Sequence, residues 1–119
     1  MPLVSDRTYR VIVRGFFTDL DEAQRATLLA EVDQHDLLSA AFTDEGTLIY
    51  DRALRNFTVR CVVRQSSEAR PGVDDEAAVR QGSERAAGML AERELGHGPL
   101  RATATCLEDI KVKRRPVRR

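Results

Sequence analysis

The sequence has no tryptophan, only two cysteines and no long apolar run, and each shortage excludes a class of structure or site. A helix that spans a bilayer needs about 20 apolar residues in succession, and no segment approaches that length. The first ten residues also lack the apolar stretch of a secretory signal, so we expect a cytoplasmic protein. Cys61 and Cys106 fall in separate predicted strands that are not neighbours, which predicts two free, buried thiols. Without HxH, HExxH, CxxC or a glycine-rich phosphate loop, we expect no metal and no cofactor.

Lysine is scarce as well, and charge is distributed unevenly along the 119 residues. Residues 1–110 hold thirteen arginines and all nineteen acidic residues, a net charge of −6. Residues 111–119 carry +6 and include both lysines. We therefore expect one domain over residues 1–110, which is long enough to bury its own core, and a disordered basic tail over 111–119. The preference for arginine and alanine is typical of GC-rich bacterial genomes.

Hydrophobic periods of two and about 3.6 residues alternate along the chain in the order strand, helix, strand, strand, helix, strand. This order predicts an α+β, ferredoxin-like βαββαβ domain, in which two helices cover one face of a four-stranded antiparallel sheet. The first helix begins after Asp21, which forms a capping box with Gln24, and the second begins near Asp74 or Asp75. The predicted strands are Thr8 to Phe17, Thr47 to Asp51, Phe57 to Arg64 and Leu100 to Leu107.

Several local expectations follow from residue type. Gly15 ends or interrupts the first strand, and Gly96 follows the second helix as its C′ residue. Residues 65–73 have the composition of a mobile loop, whereas Leu37 to Phe42 is apolar enough to lie under the first helix. Each helix is expected to pack an apolar face against the sheet. In the first helix this face consists of Ala26, Leu28, Leu29 and Val32. In the second it consists of Val79, Gly82, Ala86 and Leu90, whose small residues predict a close approach to the sheet.

Three segments of the chain resemble a family of small actinobacterial proteins of unknown function: YRVIVRGFF (9–17), LDEAQRATLLAEVDQHDLLSAAFTDEGTLIYD (20–51) and LRATATCLED (100–109). The resemblance covers roughly residues 8–110, and its motifs are mainly determinants of the fold. It implies a bacterial cytoplasmic domain. It supplies no catalytic residues, because the family has no assigned activity.

Strand alternation predicts a cluster of arginines on the sheet face that the helices leave open. Arg101 would join this cluster from the last strand. Three interpretations remain open: a solvated face, the interface of a homodimer, or a site that holds a small anionic ligand through guanidinium groups. The residues predicted to form the interface or the ligand site are Arg10, Ile12, Arg14, Arg60, Val62 and Arg64.

Two other functions are considered. RNA-binding domains of this topology stack bases on aromatic residues of the central strands. Ile12, Thr58, Arg60 and Val62 occupy those positions here, so nucleic acid is not expected as a partner, and a weak electrostatic RNA binder is kept only as an alternative. The order of elements is also that of dimeric α/β-barrel monooxygenases and cyclases that work without cofactor. In such an enzyme His35, Tyr50 or His97 would transfer protons. We favour a non-catalytic module that self-associates or binds an anion.

Overall fold

The computed structural model describes residues 5–35, 41–67 and 71–107, which form two α-helices, a short 3-10 helix and five strands. The predicted basic tail lies outside the described residues. The helices are α1 (Glu22–Glu31) and α2 (Pro71–Glu92), and the 3-10 helix is Val32–His35. The strands are β1 (Ser5–Thr18), β2 (Thr47–Tyr50), β3 (Asn56–Ser67), β4 (Gly96–His97) and β5 (Arg101–Cys106).

The protein has an α+β fold with a single antiparallel sheet, in which β1 and β3 are the central strands. β2 pairs with β3 at one edge, while β5 and the two-residue β4 both pair with β1 on its other side. β4 is therefore an additional strand beside the four that were predicted. Alternation along β1 and β3 divides the sheet into an inner face, which the helices cover, and an outer face.

The long central strands extend beyond their predicted ends. β1 continues through Gly15 to Thr18, so the glycine does not end the strand. A β-carbon on Gly15 would lie 2.7 Å from the Phe57 ring, so the glycine leaves room for that buried side chain. The prediction of a mobile loop over residues 65–73 was wrong, because β3 reaches Ser67 and α2 begins at Pro71, with residues 68–70 outside the described chain. Proline suits the first helical position, since no partner is needed there for its missing N–H.

The capping box of α1 is confirmed. The Gln24 backbone N–H donates to Asp21 Oδ1 (2.7 Å), and the Asp21 N–H donates to Gln24 Oε1 (2.8 Å). Of the predicted apolar stripe, Leu28 and Val32 are buried. Ala26 and Leu29 are exposed instead, so the apolar face of this short helix is narrower than its sequence indicates.

The core lies between the inner face and the two helices. Its fully buried members from β1 and β3 are Tyr9, Val11, Val13, Val59, Cys61 and Val63. From α2, Gly82 approaches the sheet so closely that a β-carbon there would lie 2.5 Å from Val11 Cγ1, as the small residues predicted. Ala86 and Leu90 of the same helix are also fully buried, whereas Val79 is only half-buried.

The end of α2 differs from the prediction. Glu94, not Gly96, takes the left-handed conformation that ends the helix, with φ of 59°. The Leu95 N–H donates to the Leu90 carbonyl and the Glu94 N–H donates to the Ala91 carbonyl, the two bonds of a Schellman motif. Gly96 instead begins β4, where it pairs with Thr18 of β1.

Beyond the end of β2, the backbone groups of Val62 at the edge of β3 have hydrogen-bond partners from other parts of the chain. The Val62 N–H donates to the Thr43 carbonyl (2.8 Å). The Val62 carbonyl accepts from Arg85 Nη1 (2.6 Å), which also donates to the Asp44 carbonyl. The Arg85 guanidinium of α2 thus donates the hydrogen bond that the Val62 carbonyl would otherwise accept from a neighbouring strand.

Candidate anion-binding face

We use the term arginine face for the outer-face residues of the two central strands. Its members are Arg10, Ile12, Arg14, Arg60, Val62 and Arg64. The register sets Arg60 opposite Ile12 and Arg10 opposite Val62. Guanidinium-bearing residues therefore occupy diagonal positions, separated by aliphatic ones. Diagonal neighbours in an antiparallel pair are about 7–8 Å apart, within reach of a long side chain.

One pair of arginines is directly opposed. The pairing of β1 with β5 sets Arg14 against Arg101. Both side chains are exposed, and neither forms an ion pair with any residue in the described parts of the chain. Like charges directly opposite on neighbouring strands destabilise a sheet unless an anion lies between them.

The other end of the face has an anionic partner. Arg64 Nη1 donates to Asp44 Oδ1 at 2.7 Å. The two side chains are 61% and 67% exposed, so solvent screening leaves this ion pair a small contribution to stability. Its effect is to neutralise one of the arginines at that end.

Phe42 covers the middle of the face. The Arg10 and Arg60 guanidinium carbons lie 5.2 and 5.4 Å from the centre of its ring, within cation–π distance. The expectation that the segment ending at Phe42 lies under the first helix was wrong for this residue; Leu37 to Ala40 lie outside the described residues. The apolar composition of the segment signalled burial, but alternation within the strands gave no means of predicting which face it contacts.

A cavity of about 390 Å³ lies beside the opposed arginines. Phe16, whose side chain is 45% exposed, contributes an aromatic ring, and Asn56 is its cross-strand partner. We call this cavity the Arg14–Arg101 pocket; its lining residues are Arg14, Gly15, Phe16, Asn56, Pro99 and Arg101. Reasoning from sequence identified the two arginines but not the ring or the amide beside them.

Two of the three proton-transfer candidates, His35 and Tyr50, contact each other, and the third, His97, lies on a different strand. His35 and Tyr50 stack with ring centres 4.9 Å apart, and the Tyr50 hydroxyl donates to the Leu28 carbonyl (2.7 Å). His35 Nδ1 lies 2.8 Å from the Leu48 carbonyl oxygen, which can only accept, so Nδ1 carries a hydrogen and donates there. His97 lies in β4 and contacts the edge of the Phe57 ring. All three side chains therefore make contacts with other groups of the protein.

Both cysteines are free and buried, as predicted. Cys61 of β3 and Cys106 of β5 pair with different residues of β1, which separates them. Burial raises the pKa of the Cys61 thiol, and the nearby Arg85 guanidinium opposes part of that rise. A buried thiol with a raised pKa is a poor nucleophile at neutral pH.

Residues 5–35, 41–67 and 71–107 contain no group of three or more His, Cys, Asp or Glu side chains placed to hold a metal ion. Neither helix, over its described residues, has the length and apolar character needed to cross a membrane.

The geometry can now be set beside known proteins. A profile described as "Family of unknown function (DUF6204)" matches residues 4–118. The chain belongs to this family of unknown function. The match confirms the expectation of a protein family of unknown function, and this family has no activity to transfer to the arginine face. Comparison with curated proteins and with solved structures gave no significant match.

Proposed function

We propose that this protein is a non-catalytic module that binds a small anionic ligand through its arginine face and the adjoining Arg101 of β5. The observation that carries the proposal is the direct opposition of Arg14 and Arg101, with no ion pair to either among the described residues. A guanidinium group presents a planar fork of donors that matches carboxylate and phosphate oxygens. An anion between the two forks would turn an unfavourable pair into a favourable cluster.

The wider setting of the proposal is a bacterial cytoplasmic protein with a ferredoxin-like fold. The path β2-β3-β1-β5 supports that classification, with β4 as an addition at the β1 edge. The helices occupy the inner face of such a sheet. Phe42 covers the middle of the outer face, so the end that carries the exposed Arg14 and Arg101 is the part open to a ligand.

Self-association through the same face is less well supported. A two-fold dimer is formed by identical patches, so a face-to-face dimer would bring arginines against arginines. Asp44 is the acidic residue paired with the arginine face among the described ion pairs, and Arg64 already engages it. A dimer of this kind would need bound anions to neutralise its interface, which makes anion binding the more basic property.

The enzyme alternative draws no support from the side chains that would carry it. The Tyr50 hydroxyl and His35 Nδ1 are engaged with backbone carbonyls, and the two rings cover one another. A proton-transfer group needs to reach a substrate within hydrogen-bond distance. The cavity beside the opposed arginines is lined by none of these residues.

The experiment is a titration of the full-length protein with inorganic phosphate, followed by amide chemical shifts at constant ionic strength. We expect saturable shifts confined to β1, β3 and β5, weakened in a double variant Arg14→Gln, Arg60→Gln. Arg25→Gln, an exposed substitution in α1, is the matched control and should leave the titration unchanged. Shifts that do not saturate, or that are equal in the double variant and in the control, would overturn the proposal. Sedimentation with and without phosphate tests whether assembly depends on the anion.

A further inference from the structure

We propose that the Arg14–Arg101 pocket accepts an aryl phosphate, that is, an aromatic ring that carries a phosphate monoester. This inference rests on the proposed anion-binding function and specifies where the ligand binds and what chemical class it belongs to. It is carried by three features that occur together in one cavity: two opposed guanidinium groups, an exposed aromatic ring and an amide side chain.

The charge of the pocket matches a dianion. A phosphate monoester carries about −1.5 to −2 charges near neutral pH and has three strong acceptor oxygens. Arg14 and Arg101 supply two positive charges from directly opposed positions on adjacent strands. A carboxylate has only two oxygens and one charge, so it would leave one guanidinium fork partly unmatched.

The aromatic requirement comes from Phe16. Its side chain is 45% exposed, although large apolar side chains are usually buried. The ring is held in place from below, since a β-carbon on Gly98 would lie only 2.2 Å from Phe16 Cζ. The Gly98 N–H also donates to the Phe16 carbonyl (3.0 Å). A fixed, half-exposed ring beside a cationic pair offers a surface on which a ligand ring can stack.

The pocket has the size and polarity of a small-molecule site. Its volume of about 390 Å³ falls within the range of about 300–1,000 Å³ typical of ligand pockets. Asn56, the cross-strand partner of Phe16, adds a donor and an acceptor at the rim. Pro99 supplies a further apolar surface beside the ring.

The experiment compares phenyl phosphate, methyl phosphate and inorganic phosphate by calorimetry at equal ionic strength. We expect phenyl phosphate to bind about tenfold more tightly than methyl phosphate, because only the former has a ring to stack on Phe16. Arg14→Gln and Arg101→Gln should each weaken phenyl phosphate by about tenfold or more, since each removes a charge-assisted fork.

Two further variants separate the ring from the charge. Phe16→Leu keeps an apolar side chain over Gly98 and should reduce the preference for phenyl phosphate by about fivefold without changing affinity for methyl phosphate. Arg25→Gln is the matched control, because it removes the same charge from an exposed position on α1, outside the arginine face. It should change the affinity for neither ligand.

The outcomes distinguish this inference from the function on which it rests. Equal binding of all three phosphates, or binding lost through Arg10→Gln and Arg60→Gln but retained in Arg14→Gln and Arg101→Gln, would overturn the aryl phosphate site and leave anion binding intact. Absence of saturable binding for every phosphate would overturn both.

Discussion

Gly82 of α2 lies directly over Val11 of β1. A β-carbon on this glycine would come within 2.5 Å of Val11 Cγ1 and 3.0 Å of Val11 Cβ, both in the fully buried core. α2 and β1, which are far apart in sequence, therefore contact each other at Gly82, where there is no room for a β-carbon.

This contact predicts that Gly82→Ala lowers the free energy of unfolding by about 1–2 kcal/mol, because overpacking outweighs the gain in helix propensity. Gly88 provides the control on the same helix, since a β-carbon there would meet nothing within 4 Å. Gly88→Ala should raise stability by about 0.5–1 kcal/mol. Urea denaturation measures both, and destabilisation of equal size by the two variants would contradict the close approach.

Glu94→Gly should stabilise the protein by about 0.5–1 kcal/mol, since Glu94 holds a φ of 59°, where a β-carbon is strained. The hydrogen bond from Gln24 Nε2 to the carbonyl of residue 94 is retained in this variant, because the acceptor is a backbone atom. Glu84→Gly, at an exposed position in the interior of the same helix, should destabilise by a similar amount. Thermal unfolding distinguishes the two; a loss of stability in Glu94→Gly would show that the capping geometry is misassigned.

The repulsion between Arg14 and Arg101 should lower the free energy of unfolding of the ligand-free protein by a measurable amount. Arg101→Glu replaces a like-charge pair by an ion pair with Arg14, and we expect it to raise stability at low salt by about 0.2–1 kcal/mol. The gain should shrink at high salt as the charges are screened. Chemical denaturation at two salt concentrations tests this, with Arg25→Glu as the exposed control. A gain that is independent of salt would argue that charge is not its origin.

Alkaline pH should destabilise the fold through Cys61 and Tyr50. Burial raises the pKa of both groups, and Glu31 raises that of Tyr50 further while Arg93 opposes the rise. Each group then ionises more readily in the unfolded chain, so the unfolded state binds fewer protons as pH increases. Their stabilising contribution is complete at neutral pH and declines once pH passes the unfolded pKa of about 8.5 for cysteine and about 10 for tyrosine.

Urea denaturation at about pH 7 and about pH 10 measures the decline. Cys61→Ala removes one of the two groups and should show a smaller difference between the two pH values, even if its stability is lower at both. An identical difference in the variant and the parent protein would eliminate Cys61 as a source.

The features that depended on local rules were predictable from sequence. Alternation placed Arg10, Arg14, Arg60 and Arg64 on one face, because successive strand side chains point to opposite sides. The capping box at Asp21 followed from two residue types three positions apart. Binding by these arginines stays a prediction.

What depended on contacts between distant segments was not predictable. The opposition of Arg14 and Arg101 is a matter of register between β1 and β5, which alternation alone does not determine. Phe16 is fixed by Gly98, and Phe42 reaches the arginine face from a segment outside the strands that form it. The conformation of Glu94 ran against expectation, because two glycines close by were the more usual residues for that role.

Arg85 also has a consequence for solubility. It supplies the donor that the Val62 carbonyl would otherwise take from a further strand, while the Thr43 carbonyl accepts from the Val62 N–H at the same edge. Exposed strand edges are templates on which other molecules add, and they lead to aggregation. Replacement of Arg85 would leave the Val62 carbonyl without its donor and this part of the edge less well protected against intermolecular β-pairing.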